Sequence, residues 1–166
     1  MSVQYQNSRQ NCLICKCYVE GKIMPGSFTQ RKGHSTGMAG EFCVMEKLFR
    51  LGYEASLTMG NAKSIDVLAK SPTGQLYEIS VKSIRGGGKW GIGKEDVSKR
   101  KNLVYVLLYY RDFSSIETQP AVWVIPAADA QKIKEPWFEN FAIYCSNKKR
   151  RTKLEKYKDA WTDYLK

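Results

Sequence analysis

The amino-acid sequence predicts an α/β domain with the element order αβββαβ, in which helices flank a mixed central sheet. Three observations predict it: helical apolar periodicity from Ser35, three short strand-like runs in succession, and a helical segment before the next strand. Short links between strands favour antiparallel pairing, whereas an intervening helix favours a parallel crossover. The 166 residues, of which 43% are hydrophobic, suffice for one domain with one core.

The first predicted element is a helix that ends before Gly52, because glycine suits the left-handed position after a helix end. Glu41 lies at the edge of its apolar stripe, one residue before Phe42. We expect that stripe to face the core, since its members recur at helical spacing. The stripe consists of Met38, Phe42, Met45 and Phe49.

Three predicted strands follow, over residues 53–58, 64–69 and 75–83, with a turn from Pro72 to Gly74 before the third. The third strand alternates clearly, and residues two apart in a strand share a face. One face therefore carries Tyr77, Ile79 and Val81, and the other carries Glu78, Ser80 and Lys82.

Beyond the third strand we expect a flexible basic loop over 85–94 and a short helix over 95–101. Residues 103–110 are apolar on both faces, which predicts a central strand. A strand over 121–125 and a helix over 127–135 follow. The predicted C-terminal element is a basic amphipathic helix over 148–165, whose apolar face carries Leu154, Tyr157, Trp161 and Leu165.

Residues 1–33 differ in character from the predicted domain of residues 34–166, and we interpret them as an N-terminal appendage or Cys-rich subdomain. A Cys3His zinc site is one interpretation of their clustered thiols with the single histidine, and unliganded thiols are the other. The residues concerned are Cys12, Cys15, Cys17 and His34. No apolar run approaches the ~20 residues that cross a bilayer, so we expect no membrane partner. No secretory signal is recognisable either, which predicts a cytoplasmic protein with reduced cysteines.

The formal net charge is +11, because 27 Lys and Arg residues outweigh 16 Asp and Glu residues. Basic proteins bind polyanions through the release of counterions from phosphates, so a nucleic acid is the predicted partner. The same charge can also serve solubility alone. The candidate DNA contacts are Arg85, Lys89, Lys94, Lys148, Lys149, Arg150 and Arg151. DNA contact is not the only interpretation of these residues. The 85–94 segment could instead be a disordered linker, and the four basic residues from 148 to 151 could form a solvated helix face.

Three polar residues are expected to converge beside the second and third strands. Asp66 interrupts an apolar run, where a carboxylate is costly unless it is paired or binds a cation. A hairpin can bring Lys82 beside it, and Glu41 can point from the first helix toward the same sheet edge. Two carboxylates suit a hard cation such as Mg²⁺, although Asp66 and Lys82 could also form a metal-free ion pair and Glu41 could be an ordinary surface residue.

The segments GMAGEFCVMEKLFRLGYEA, SIDVLA and YEISVKS resemble the PD-(D/E)XK nuclease superfamily, especially its small endonucleases and Holliday-junction-resolvase-like members. The resemblance spans about residues 35–126 and implies a restriction-endonuclease-like fold. It assigns Glu41 to the helix acid, Asp66 to the metal-binding acid and Lys82 to the motif lysine. Ser80 stands where the motif has Asp or Glu, which puts catalysis in question. Glu78 could act as a displaced ligand, or it could be a surface residue.

The resemblance implies a DNA endonuclease or DNA-junction-processing nuclease that depends on Mg²⁺ or Mn²⁺, with a homodimer as one possible state. Ser80 keeps a second hypothesis open, a catalytically weakened DNA-binding module on the same fold. A third is a protein-interaction domain whose positive charge meets an acidic partner.

Overall fold

A five-stranded mixed sheet forms the centre of the molecule in the computed structural model, which describes residues 32–58, 65–86, 88–146 and 148–166. Its strands are β1 (Glu54–Leu57), β2 (Val67–Lys70), β3 (Leu76–Arg85), β5 (Leu103–Tyr110) and β6 (Ala121–Pro126). They lie in the order β1–β2–β3–β5–β6. The β3–β5 pair is parallel, and the three other pairs are antiparallel. The predicted fold class, a mixed central sheet flanked by helices, is confirmed.

The first helix, α1 (Lys32–Arg50), ends as the sequence predicts. Gly52 has a φ of 81°, a left-handed conformation that glycine adopts at no steric cost. Its N–H donates to the carbonyl of Phe49, and the N–H of Tyr53 donates to the carbonyl of Leu48. These two bonds form a Schellman motif, which turns the chain directly from α1 into β1.

The face of α1 that packs on the sheet differs from the predicted one. Val44 and Leu48 are fully buried, whereas Phe42 and Phe49 are 58% and 55% exposed. The reason is close packing at Gly40, where a Cβ atom would lie 1.8 Å from the Ser83 Oγ of β3. The helix approaches the sheet closely at Gly40, with Val44 and Leu48 packed on the same side, and the aromatic stripe is turned outward.

This contact predicts opposite effects for two glycine substitutions in the same helix. Gly40→Ala should lower the free energy of unfolding by about 1–2 kcal/mol, because overpacking against Ser83 outweighs the gain in helix propensity. Gly37→Ala should raise it by about 0.5–1 kcal/mol, since no heavy atom lies within 4 Å of the new Cβ. Urea denaturation measures both, and Ser83→Ala should partly rescue the first variant. Equal effects at the two positions would contradict this packing.

The second face of the sheet is covered by elements that the sequence did not predict as strands. A small sheet has the order β4–β8–β7, from β4 (Lys89–Gly91), β7 (Glu135–Trp137) and β8 (Asn140–Tyr144). Trp90 of β4 is buried, packs edge-on against Trp123 at 5.3 Å, and donates its indole N–H to the Leu108 carbonyl of β5. Strand β5 is buried from Leu103 to Leu108, as expected of a central strand between two layers.

Three predicted elements need correction. Residues 95–101 form bends and turns rather than a short helix, so the parallel crossover from β3 to β5 passes through β4. The basic 85–94 segment contains β4 and is therefore not simply a flexible loop. The predicted single C-terminal helix is divided into α3 (Lys148–Leu154), a 3-10 turn (Glu155–Tyr157) and α4 (Trp161–Tyr164).

The division of the C-terminal segment keeps its apolar residues inside. Asp159 adopts a φ of 50° between the 3-10 turn and α4, and its N–H donates to the Val122 carbonyl of β6. The four predicted apolar residues are at most 8% exposed: Leu154, Tyr157, Trp161 and Leu165. The helix α2 (Ala127–Ile133) is two residues shorter than predicted.

The N-terminal appendage and its cysteines, Cys12, Cys15 and Cys17, lie outside the described residues. The boundary at residue 33 and the zinc site therefore stay predictions. None of the described helices is long and apolar enough to cross a lipid bilayer.

Candidate active site

Asp66 lies immediately before β2, rather than within it as predicted. Its backbone still continues the sheet, since its N–H donates to the Ile79 carbonyl at 2.9 Å and its carbonyl accepts the Thr58 N–H at 3.0 Å. Two neighbouring strands thus fix the backbone of Asp66, and its carboxylate is set against the middle of β3.

The Asp66 carboxylate is held by three consecutive residues of β3. The Val81 N–H donates to Oδ2 at 2.6 Å, and the Ser80 hydroxyl donates to the same oxygen at 3.4 Å. The Lys82 ammonium lies 3.7 Å from Oδ2. The side chains of Asp66 and Lys82 are 26% and 31% exposed, so water reaches the pair without screening it fully. A short N–H bond to a carboxylate orients it strongly.

Ser80 has a different environment from its two neighbours in this cluster. It is 0% exposed, and its hydroxyl points at the Asp66 carboxylate. A buried hydroxyl needs a hydrogen-bond partner, and Asp66 supplies it. Ser80 therefore acts in this structure as a residue that positions Asp66.

Glu41 is electrostatically part of the same cluster. Partial burial raises the pKa of Glu41 above its ordinary value, and the negative charge of Asp66 raises it further. The charges of Lys82 and His34 act in the opposite direction. His34 lies seven residues before Glu41 in α1, which places both on one side of the helix two turns apart. From the sequence, His34 was interpreted only as a candidate zinc ligand. Its spacing of seven residues from Glu41 was the signal that could have placed both residues on one side of the helix.

Glu78, the predicted displaced ligand, has a partner of its own. Its carboxylate forms an ion pair with the Arg100 guanidinium from the β3–β5 connection. Glu78 precedes Ser80 by two residues and so lies on the same face of β3. The pairing with Arg100 favours a structural role for Glu78 over metal ligation.

Asp66 and Glu41 are the two acidic side chains of this cluster that a divalent cation would use. Among the described residues, no group of three His, Cys, Asp or Glu side chains has metal-binding geometry. Asp66 and Glu41 are nevertheless close enough for mutual repulsion to contribute to the raised pKa of Glu41. Mg²⁺ binds through one or two carboxylates and keeps several waters, and a cation between two carboxylates relieves their repulsion. The cation that this structure places beside Asp66 is the Lys82 ammonium, 3.7 Å from Oδ2.

A groove of about 970 Å³ is lined by residues of β1, β2 and β3, and its lining contains none of Glu41, Asp66, Ser80 and Lys82. Leu68 and Glu78, which are paired across β2 and β3, form part of its floor. The turn at residues 99–102 forms a wall with three consecutive basic side chains, Lys99, Arg100 and Lys101. These three cations were not among the predicted DNA contacts, because residues 95–101 were expected to form a helix rather than a turn that lines a groove.

The predicted DNA contacts divide between three places in the fold. Arg85, at the end of β3, lies over the Phe113 ring at 4.7 Å. The Lys94 Nζ lies 3.4 Å from the Glu139 Oε2. Three cations of α3 are exposed: Lys148, Lys149 and Arg151.

Lys89 and Arg150 meet at one aromatic ring although they are far apart in sequence. The Lys89 ammonium lies 5.8 Å and the Arg150 guanidinium 4.4 Å from the centre of the Tyr144 ring in β8. Arg150 also forms a bidentate pair with Glu135 of β7. The two predicted basic segments thus converge on the β7–β8 hairpin.

The described residues form an α/β domain in which helices flank a mixed central sheet. Among solved structures, the chain is similar to that of a bacterial homing endonuclease, I-Ssp6803I, with a TM-score of 0.53 and 15% sequence identity. The likeness covers 81% of this chain and 93% of the endonuclease chain. No protein-family model and no curated protein matches the sequence. The likeness is one of fold, and the chemistry depends on the residues described above.

Proposed function

We propose that this protein is a divalent-metal-dependent DNA endonuclease of the PD-(D/E)XK type. The observation that carries the proposal is the placement of Asp66, with its carboxylate held by the Val81 N–H and the Lys82 ammonium on a nuclease-like fold. The sequence resemblance to the PD-(D/E)XK superfamily and the fold likeness to a homing endonuclease both support the proposal. The net charge of +11 supports DNA as the substrate.

Each residue of the cluster has a role in this proposal. Asp66 and Glu41 hold Mg²⁺ or Mn²⁺, which supplies Lewis-acid stabilisation of the scissile phosphate and lowers the pKa of a bound water. Lys82 lies beside Asp66, where its ammonium neutralises negative charge that develops on the phosphate or orients the attacking water. Ser80 and the Val81 N–H fix the Asp66 carboxylate, so that it does not have to reorient during the reaction.

A second candidate function is a DNA-binding module that has lost its chemistry. The observation that favours it is the closed set of contacts around Asp66, in which Lys82 already supplies a positive charge 3.7 Å away. Ser80 cannot replace the missing carboxylate, because a neutral hydroxyl is a weak ligand for Mg²⁺. This candidate shares the fold and the basic surface with the first.

Cleavage of supercoiled plasmid separates the two candidates. The purified protein should convert the plasmid to nicked or linear forms in Mg²⁺ or Mn²⁺, and EDTA should stop the conversion. A protein that binds the plasmid in both metals without cutting it would be the binding module.

DNA affinity should depend steeply on salt under either candidate. If the basic surface neutralises roughly 4–8 phosphates, the logarithm of the association constant should fall against log salt with a slope of about −4 to −7. Fluorescence anisotropy with a labelled duplex between low and moderate salt measures this slope. An affinity that hardly changes over that range would contradict DNA binding through the basic surface.

A further inference from the structure

The β7–β8 hairpin closes through a two-residue turn, Phe138–Glu139, since Trp137 and Asn140 are paired across it. Phe138 is 93% exposed, more than any other large hydrophobic residue that the structure describes. Its φ is 49°. The tip of this hairpin therefore carries a large apolar ring that extends into solvent.

Phenylalanine is an unfavourable residue for this turn in the isolated protein. A positive φ brings Cβ close to the backbone, so bulky residues rarely adopt it, and glycine is preferred in two-residue hairpin turns. The Phe138 ring packs only beside Trp137, at 6.1 Å between centroids, and recovers little burial in exchange. A strained and exposed ring of this kind is typical of a site that contacts a ligand.

Cations surround the base of the hairpin and hold its aromatic rings. Lys89 lies over the Trp137 ring at 4.6 Å, and Lys94 reaches the turn at Glu139. Arg150 lies over the Tyr144 ring on β8. Lys94 and Arg150 are paired with the hairpin carboxylates Glu139 and Glu135, whereas Lys89 contacts only aromatic rings within the described part of the chain and is the cation that this base presents beside the tip.

We propose that Phe138 is a wedge that inserts between stacked bases of DNA held by these cations. The inference rests on the proposed DNA-binding function and adds a mode of contact that the basic surface does not supply. Apolar wedges such as Phe enter base steps, unstack them and kink the duplex, and flanking cations neutralise the adjacent phosphates. Lys89 beside the Trp137 ring is the cation placed to meet a phosphate next to the opened step, and the aromatic contacts of Lys89 and Arg150 hold the hairpin that carries the ring.

A duplex that contains 2-aminopurine, whose fluorescence rises when it is unstacked, tests the wedge. Wild-type protein should raise that fluorescence on binding, whereas Phe138→Gly should not. Removal of the ring should also raise the dissociation constant roughly 5- to 100-fold, the range found when a stacking contact is lost. The salt slope should stay the same, because no charge is removed. Glycine suits a φ of 49°, so this variant should fold at least as stably as the wild type.

Two further variants complete the experiment. Phe138→Leu keeps an apolar wedge and should retain most of the fluorescence rise. Ile116→Ala removes another exposed apolar side chain, 77% exposed in the β5–β6 connection, and should change nothing. If wild type binds the duplex without a fluorescence rise, or Phe138→Gly keeps the rise, the wedge is refuted while the proposed function stands. If anisotropy detects no binding of wild type to any duplex, the proposed function fails, and the wedge fails with it.

Discussion

Asp66→Asn should reduce plasmid nicking by about a hundredfold or more while leaving DNA affinity almost unchanged. The substitution keeps the shape of the side chain, and the amide oxygen can still accept the Val81 N–H. It removes the negative charge that would hold the metal ion. DNA affinity depends instead on the basic surface, so anisotropy should give the same salt slope for both proteins. Lys82→Ala should likewise suppress nicking with little effect on DNA affinity.

Asp129→Asn is the matched control for this experiment. Asp129 is 22% exposed at the side chain, close to the 26% of Asp66, and pairs with Lys132 and Lys156 in α2 and the 3-10 turn. Each substitution should cost at most about 1 kcal/mol, since partly exposed ion pairs contribute little to stability. Thermal melting verifies that both proteins are folded. If Asp66→Asn cuts as fast as wild type, the active site lies elsewhere.

The sheet could be predicted because its residues carry local signals. The predicted face of β3 is seen in the core cluster that joins Tyr77, Ile79 and Val81 to Val44 and Leu48 of α1, although Ser80 on the other face is buried as well. A continuous apolar run placed β5 at the centre, and Gly52 marked the end of α1. The periodicity of apolar residues and the residue preferences of turns and helix ends each depend on a few neighbouring residues, so both can be recognised in a single sequence.

The orientation of α1 and the β7–β8 hairpin depend on contacts between distant residues. Two faces of α1 carry apolar side chains, and the choice between them is made by Gly40, whose missing side chain admits Ser83 of β3. Strand β8 is stabilised by β4, about 50 residues away in sequence, and its own hairpin turn holds Phe138 where glycine is expected. Neither signal is visible without the tertiary partner.

The part of the candidate site that lies on one hairpin could be predicted from the sequence. Asp66 lies immediately before β2, and Lys82 lies in β3, which pairs with β2 through a short turn, so pattern and turn together place them side by side. Glu78 was harder, because its partner Arg100 comes from a segment whose conformation was mispredicted. Whether the Glu78 carboxylate binds a metal ion or pairs with a basic residue of another element depends on the tertiary structure.

Ser80→Glu should add a carboxylate to the proposed metal site and so strengthen Mg²⁺ binding. Without metal, the variant should lose about 1–3 kcal/mol of stability, because a larger side chain enters a fully buried position. It also places a second carboxylate beside Asp66. Mg²⁺ at 100 times its dissociation constant would restore about 2.7 kcal/mol. The melting temperature should therefore fall without Mg²⁺ and recover with it, while nicking increases.

Ser80→Gln separates this effect from simple overpacking. Glutamine has nearly the size of glutamate but no charge, so it should destabilise the protein similarly and gain little from Mg²⁺. Calorimetric titration with Mg²⁺ should detect tighter binding by Ser80→Glu than by wild type or Ser80→Gln. If the glutamate variant folds, takes up no metal and cuts no DNA, Asp66 and Glu41 do not form a latent metal site. The second candidate would then hold, with Asp66 and Lys82 as a structural ion pair in a domain that binds DNA without cutting it.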